Sequence, residues 1–252
     1  MKKLIVSGDS CTDLNFRSSA HPDWDFSFKK WPEHLAEHLG MELVCLGKGG
    51  HGNQYIYHSL LDEIIKTPKE EIGLVVAGWS QAMRKDWQEN DNWRNRRVDQ
   101  DGDLLSWVNK TLRHYMSFQF LCERYDLPYI HFQMGDLFEA YFDGLRPTEN
   151  LIIGDRDKFI GEYPGLDDDD EKIINRISEY HNIINNFVGY PGLSAQYKYI
   201  GGFNMVDKIL GENGDIMAER GLIVSEYDQH PNEAGHKAIA DFLIKELYEP
   251  ED

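Results

Sequence analysis

Apolar positions along the chain come in two kinds of run. Short, nearly continuous runs at 3–7, 42–46, 72–77 and 129–134 predict buried strands, because a strand covered on both faces has no polar side to show. Between them lie longer stretches with apolar residues spaced by three and four. Residues 31–39 predict a helix, with Pro32 in its first turn and Gly40 as its stop. Residues 53–66 predict another, with Ile56, Leu60, Leu61, Ile64 and Ile65 on one side. Leu105, Val108, Leu112, Tyr115, Met116 and Cys122 place one face of a long helix through Tyr125. A closing helix spans 233–248, with Ile239, Phe242, Leu243 and Leu247 inward. Strands alternating with helices predict an α/β fold, a three-layer α/β/α sandwich around a flavodoxin-like parallel sheet of about five strands.

Two segments break this rhythm. Residues 84–103 are polar and Trp-rich, and residues 135–171 hold Gly, Pro and acids, ending in an acidic run at 166–171. Both read as insertions near the carboxyl edge of the sheet, where α/β ligand sites lie. The acidic run suits calcium, but a solvated helix start favoured by the helix dipole explains it more simply. No linker or repeat divides the chain, so residues 1–252 are expected to form a single domain.

Charge narrows the function. With 26 Lys and Arg against 44 Asp and Glu, the formal net charge is −18. This argues against nucleic acid as a partner, since phosphates require clustered cations, and against an anionic membrane surface. An apolar share of 41% is too high for a disordered chain. No apolar run reaches the ~18 residues of a spanning helix. The apolar stretch after Lys3 is too short for a signal peptide. Cys11, Cys45 and Cys122 are widely spaced and odd in number, which suits a reducing compartment better than a disulfide framework. The expected location is therefore cytoplasmic.

Three places carry candidate chemistry. Gly8-Asp9-Ser10-Cys11-Thr12 follows the first strand, where a serine would stand at the ligand edge of the sheet. A nucleophilic serine needs a base and oxyanion donors, while the plain alternative is a capped turn. Asp228-Gln229-His230-Pro231-Asn232 precedes the last helix. It offers a histidine with a nearby acid to orient its ring, or an ordinary loop with an N-cap at Asn232. Gly47-Lys48-Gly49-Gly50-His51-Gly52-Asn53 follows the second strand and matches G-x-G-x-x-G. That fingerprint belongs after the first strand, so a tight turn or a backbone anion donor competes with dinucleotide binding. His34 and His38 lie four apart on a helix but lack a third metal ligand. Trp79, Trp87, Trp93 and Trp107 suit either a sugar or acyl site or packing of the core and a lid. No carboxylates form an evident glycosidase pair.

In order and spacing, the three blocks resemble the SGNH (GDSL) hydrolase family, in its divergent, often phage-encoded forms. The resemblance spans residues 8 to 232, nearly the whole chain. It implies Ser10 as nucleophile, His230 as base, Asp228 as the residue orienting it, and Gly50 as an oxyanion donor. It implies hydrolysis of an ester, a small acyl group on a carbohydrate or similar alcohol, with no metal or organic cofactor. Two departures stand out. The family's third block is G-x-N-D, but here the stretch is Gly78-Trp79-Ser80-Gln81, so Ser80 stands where an Asn is expected. Asn53, three residues after Gly50, is an alternative amide donor. Asp228 lies two rather than three residues before His230, so a backbone carbonyl competes with it as orienter. The altered third block also suits a binding or accessory protein that kept the fold and lost efficient catalysis.

Overall fold

The structure is a computed structural model that describes residues 1–97, 103–135, 183–188, 221–225 and 227–248, with positions 172, 176, 177, 179, 180 and 205. The acidic run at 166–171, and all of the expected 135–171 insertion except Gly135, lie outside the described residues. Five parallel strands form the central sheet: β1 (Lys3–Ser7), β2 (Glu42–Cys45), β3 (Ile72–Trp79), β6 (Tyr129–Gln133) and β7 (Phe187–Val188), in the order β2-β1-β3-β6-β7. Four α-helices have described bounds, α1 (Trp31–Leu39), α2 (Asn53–Lys66), α3 (Leu104–Tyr125) and α4 (Glu233–Tyr248), with a short 3-10 turn at Lys69–Glu71. Two antiparallel hairpins stand outside the sheet: β4 (Arg84–Glu89) with β5 (Asn92–Arg97), and β8 (Ile223–Ser225) with β9 (Asp228–Pro231).

Alternation along the strands sorts the core into two layers. Leu4, Val6, Leu74 and Val76 pack with Trp31 and Leu35 of α1 and with Ile239 and Leu243 of α4. Ile5, Val75 and Ala77 face the other way, onto Ile56, Leu60 and Ile64 of α2 and Val108, Leu112 and Tyr115 of α3. Each fully buried Leu or Ile contributes ~2 kcal/mol of transfer free energy. The amphipathic reading of α2 needs one correction: Ile65 is 62% exposed, because it falls one position past the buried Tyr55–Ile56–Leu60–Ile64 stripe. Gly40 ends α1 in the left-handed conformation, at φ 62°.

Two buried histidines and a partly buried third make the fold sensitive to acid. Burial holds His131 and His236 down to about 3. Burial, with Lys110 and His58 nearby, takes His114 to about 4. His131 shows why. Trp79 Nε1–H donates to its Nδ1 at 3.2 Å, and its Nε2 faces the Asn185 carbonyl at 2.9 Å. A second ring proton would therefore meet the Trp79 N–H. The unfolded chain binds these protons near the ordinary histidine value of about 6.5 and the native state does not, so stability falls as pH drops below that value. Full titration costs roughly 2 kcal/mol per ring at pH 5. Thermal melts are expected to fall clearly between pH 7 and pH 5, and a melting temperature unchanged over that interval would contradict the neutral assignment.

Candidate functional site

The site forms where β1 and β3 end. After Ser7 the chain makes one tight helical turn, with Thr12 and Asp13 N–H donating to the Asp9 carbonyl at 2.9 and 3.0 Å. Gly8 and Gly47 allow close approach to this turn. A Cβ on Gly8 would lie 2.2 Å from Thr12 Oγ1, and one on Gly47 2.6 Å from the Thr12 carbonyl carbon. Asp9, 5% exposed, pins the neighbouring loops. Its carboxylate accepts from the Cys11 N–H at 3.1 Å and the Ser80 hydroxyl at 2.9 Å, and lies 3.6 Å from Arg84 Nη1. Asp13 accepts the Gly49 N–H at 2.9 Å, drawing the Gly-rich turn onto the same corner.

Ser10 Oγ and His230 Nε2 are 2.7 Å apart. His230 Nδ1 and Asp228 Oδ1 are 2.5 Å apart, and the same oxygen accepts the His230 backbone N–H at 3.1 Å. The spacing of two residues, which left this contact open in the sequence, is suited to it. Residues 228 and 230 lie on β9, where positions i and i+2 project to one face. A loop before α4 would have no such rule, and a strand is what forms. Phe16 stacks on the His230 ring at 4.1 Å between centroids. Burial pushes the Asp228 carboxyl up, but hydrogen bonds from Ser18 and from the His230 ring and backbone outweigh it. The net direction is down, so Asp228 is a carboxylate at neutral pH. Asn232 caps α4 as well, its Oδ1 accepting the Gly235 N–H at 3.0 Å.

The candidate oxyanion donors divide. Gly50 is exposed, sits at φ 77°, and among the described residues its N–H has no acceptor; nor has that of Ser10. A Cβ on Gly49 would come within 3.9 Å of Ser10 Cβ, so the Gly-rich turn borders the serine. The expectations for Asn53 and Ser80 as side-chain donors are corrected. Asn53 is 3% exposed, and Nδ2 already donates to the Ser80 carbonyl at 3.0 Å and Thr111 Oγ1 at 3.2 Å, while Oδ1 accepts the Ser80 N–H at 2.7 Å. The one hydroxyl proton of Ser80 goes to Asp9. Both residues lock the end of β3 to α2 and α3. Asn53→Ala is therefore expected to cost about 2 kcal/mol of stability, by orphaning the buried Ser80 N–H, while Gln133 Nε2–H still serves the Ser80 carbonyl at 2.9 Å, and to leave turnover within a few-fold. A melting curve beside a rate assay separates this from the reverse pattern of a lost oxyanion donor.

The insertion expected at 84–103 near the carboxyl edge of the sheet forms the β4–β5 hairpin, and its residues 98–102 lie outside the described residues. Asp86 on β4, 2% exposed, accepts the Gly52 N–H at 2.9 Å and the Tyr55 N–H at 3.0 Å. It caps α2 from outside the helix, so those donors are not free for a pyrophosphate and dinucleotide binding at G-x-G-x-x-G loses its physical basis. Trp93 holds the hairpin against Tyr55, with ring centroids 5.5 Å apart. Trp79 and Trp107 belong to the core, and Trp87 is 38% exposed. A signal for the hairpin was present: Asn90-Asp91, both at positive φ, form the two-residue loop that antiparallel strands prefer. Among the described residues no three His, Cys, Asp or Glu side chains are grouped to hold a metal ion. No described helix is long and apolar enough to cross a membrane.

No protein-family model matches the chain, and no curated protein matches it. Solved structures do. A candidate lipolytic protein of the G-D-S-L family from Desulfitobacterium hafniense DCB-2 is 14% identical with a TM-score of 0.49, covering 96% of this chain and 98% of that one. A member of the lipolytic protein G-D-S-L family from Veillonella parvula DSM 2008 is 12% identical over all of both chains, with a TM-score of 0.45. A mutant of an acetyl-xylooligosaccharide esterase from Geobacillus is 15% identical with a TM-score of 0.48, covering 98% and 94% of the two chains.

Proposed function

We propose that this protein is a serine ester hydrolase. The observation that carries the reading is the unbroken series Ser10 Oγ, His230 Nε2, His230 Nδ1, Asp228 Oδ1, with contacts of 2.7 and 2.5 Å. An alcohol is a weak nucleophile until a base takes its proton. Here Ser10 Oγ attacks the ester carbonyl while His230 Nε2 accepts the hydroxyl proton. The Asp228 carboxylate keeps the other ring proton on Nδ1 and stabilises the imidazolium that forms. The backbone N–H groups of Ser10 and Gly50 receive the developing oxyanion. Collapse expels the alkoxide, which takes the proton from His230 and leaves an acyl-serine. Water, deprotonated by His230, then releases the acid and restores Ser10.

The substrate is read as a small acyl ester of a carbohydrate or similar alcohol, on the resemblance of the sequence blocks. A binding protein that has lost catalysis is the competing reading, favoured by the commitment of Ser80 to Asp9. A fluorophosphonate probe separates the two: an activated Ser10 is labelled, and a bare scaffold is not. A panel of acyl esters run beside Ser10→Ala then identifies the acyl group.

A further inference from the structure

The oxyanion hole read above has two backbone donors and no side-chain donor, because Ser80 and Asn53 are both committed elsewhere. The β4–β5 hairpin brings a third amide to the same turn. Asp86 and Asn95 are directly paired across that hairpin, and directly opposed residues project from one face. Asp86 is anchored in the N-terminus of α2, so the pairing carries Asn95 to the Gly-rich turn beside it. A Cβ on Gly50 would lie 3.3 Å from Asn95 Oδ1 and 3.6 Å from its Nδ2. Asn95 is exposed, so its amide is open to a substrate.

His51 sets which end of the amide faces the turn. Its Nδ1 lies 3.0 Å from the Gly49 carbonyl and 3.3 Å from Asn95 Nδ2, an arrangement that exchanging the amide oxygen and nitrogen improves. A ring nitrogen that donates to the carbonyl has no lone pair left for an amide N–H. Presenting Oδ1 to His51 satisfies both contacts and turns Nδ2 over Gly50. The Asn95 amide nitrogen then sits beside Gly50, whose N–H is the backbone donor of the same turn.

We propose that Asn95 is the side-chain donor of the oxyanion hole, supplied by the inserted hairpin in place of the amide missing at position 80. The inference rests on the ester-hydrolase reading. Asn95 donates a hydrogen bond that strengthens as the carbonyl oxygen becomes an oxyanion, so it acts on turnover rather than on ground-state binding.

Asn95→Ala and Asn95→Asp test this on the full chain, with kcat and KM measured on the best ester of the panel. The hairpin is held by Asp86 and Trp93, so both variants are expected to melt with the wild type. Asn95→Ala is expected to lower kcat about 10²- to 10³-fold with KM little changed. Asn95→Asp keeps the shape but replaces a donor with an acceptor, and is expected to lose at least as much. Unchanged kcat in Asn95→Ala, wild-type turnover in Asn95→Asp, or a rise in KM alone would each overturn the assignment. A wild type that neither reacts with the fluorophosphonate nor hydrolyses any ester would sink the hydrolase reading itself, and Asn95 with it. Labelled Ser10 with an indifferent Asn95 removes only the inference.

Discussion

Ser10→Ala is expected to lower ester turnover by about a million-fold, the scale seen when a nucleophile is removed from a cooperating set. Ser10 Oγ is the atom 2.7 Å from His230 Nε2. Thr12 is fully buried and the Ser80 hydroxyl is bonded to Asp9, so neither neighbouring hydroxyl can substitute. The fold should not register the change, because Ser10 is partly exposed and loses one hydroxyl without opening a cavity. The expected result is a variant that melts with the wild type, resists fluorophosphonate labelling, and shows only the residual catalysis that oxyanion donors and binding supply. A variant that kept a tenth of the wild-type rate would show that another group attacks.

Which parts of this site were legible in the sequence follows from what each part depends on. Ser10 and His230 stand next to elements that announce themselves: a continuous apolar strand before one, and a Pro and an amphipathic helix after the other. Local pattern suffices for both. β7 has only two residues and β8 three, too few for period or run length to register. The β4–β5 hairpin failed for another reason. Both of its faces are largely polar, so alternation carries little hydrophobic contrast, and its inward face is marked by the buried carboxylate of Asp86 and a single apolar contact, Trp93 on Tyr55. The roles of Asn53 and Ser80 are not legible locally, because the choice between capping, bridging and donating to a substrate is made by partners distant in sequence. Thr111 and Asp9 make that choice here. The same limit hid Asn95, whose position depends on cross-strand pairing with Asp86.

His230→Ala should match Ser10→Ala, at about a million-fold, since removing either member of such a pair disables the whole set. The informative comparison is with Asp228. Asp228→Ala is expected to cost about 10⁴-fold, because the ring loses its orienting acceptor and its stabilising charge together. Asp228→Asn should cost less, roughly 10²-fold, the worth of a hydrogen bond to a charged group. Asp228 Oδ1 accepts both the His230 ring nitrogen and the His230 backbone N–H. An amide placed there keeps its oxygen toward that backbone donor, and hence toward the ring. Its NH₂ group takes the other position. The tautomer that leaves Nε2 free for Ser10 then survives, and only the charge is lost. Steady-state rates of the three variants on one ester decide the matter. A loss of 10⁴ or more in Asp228→Asn would mean that the amide had turned its NH₂ to the ring and trapped the wrong tautomer. A rate near wild type in Asp228→Asn would mean that the backbone around β9 orients His230 without the carboxylate.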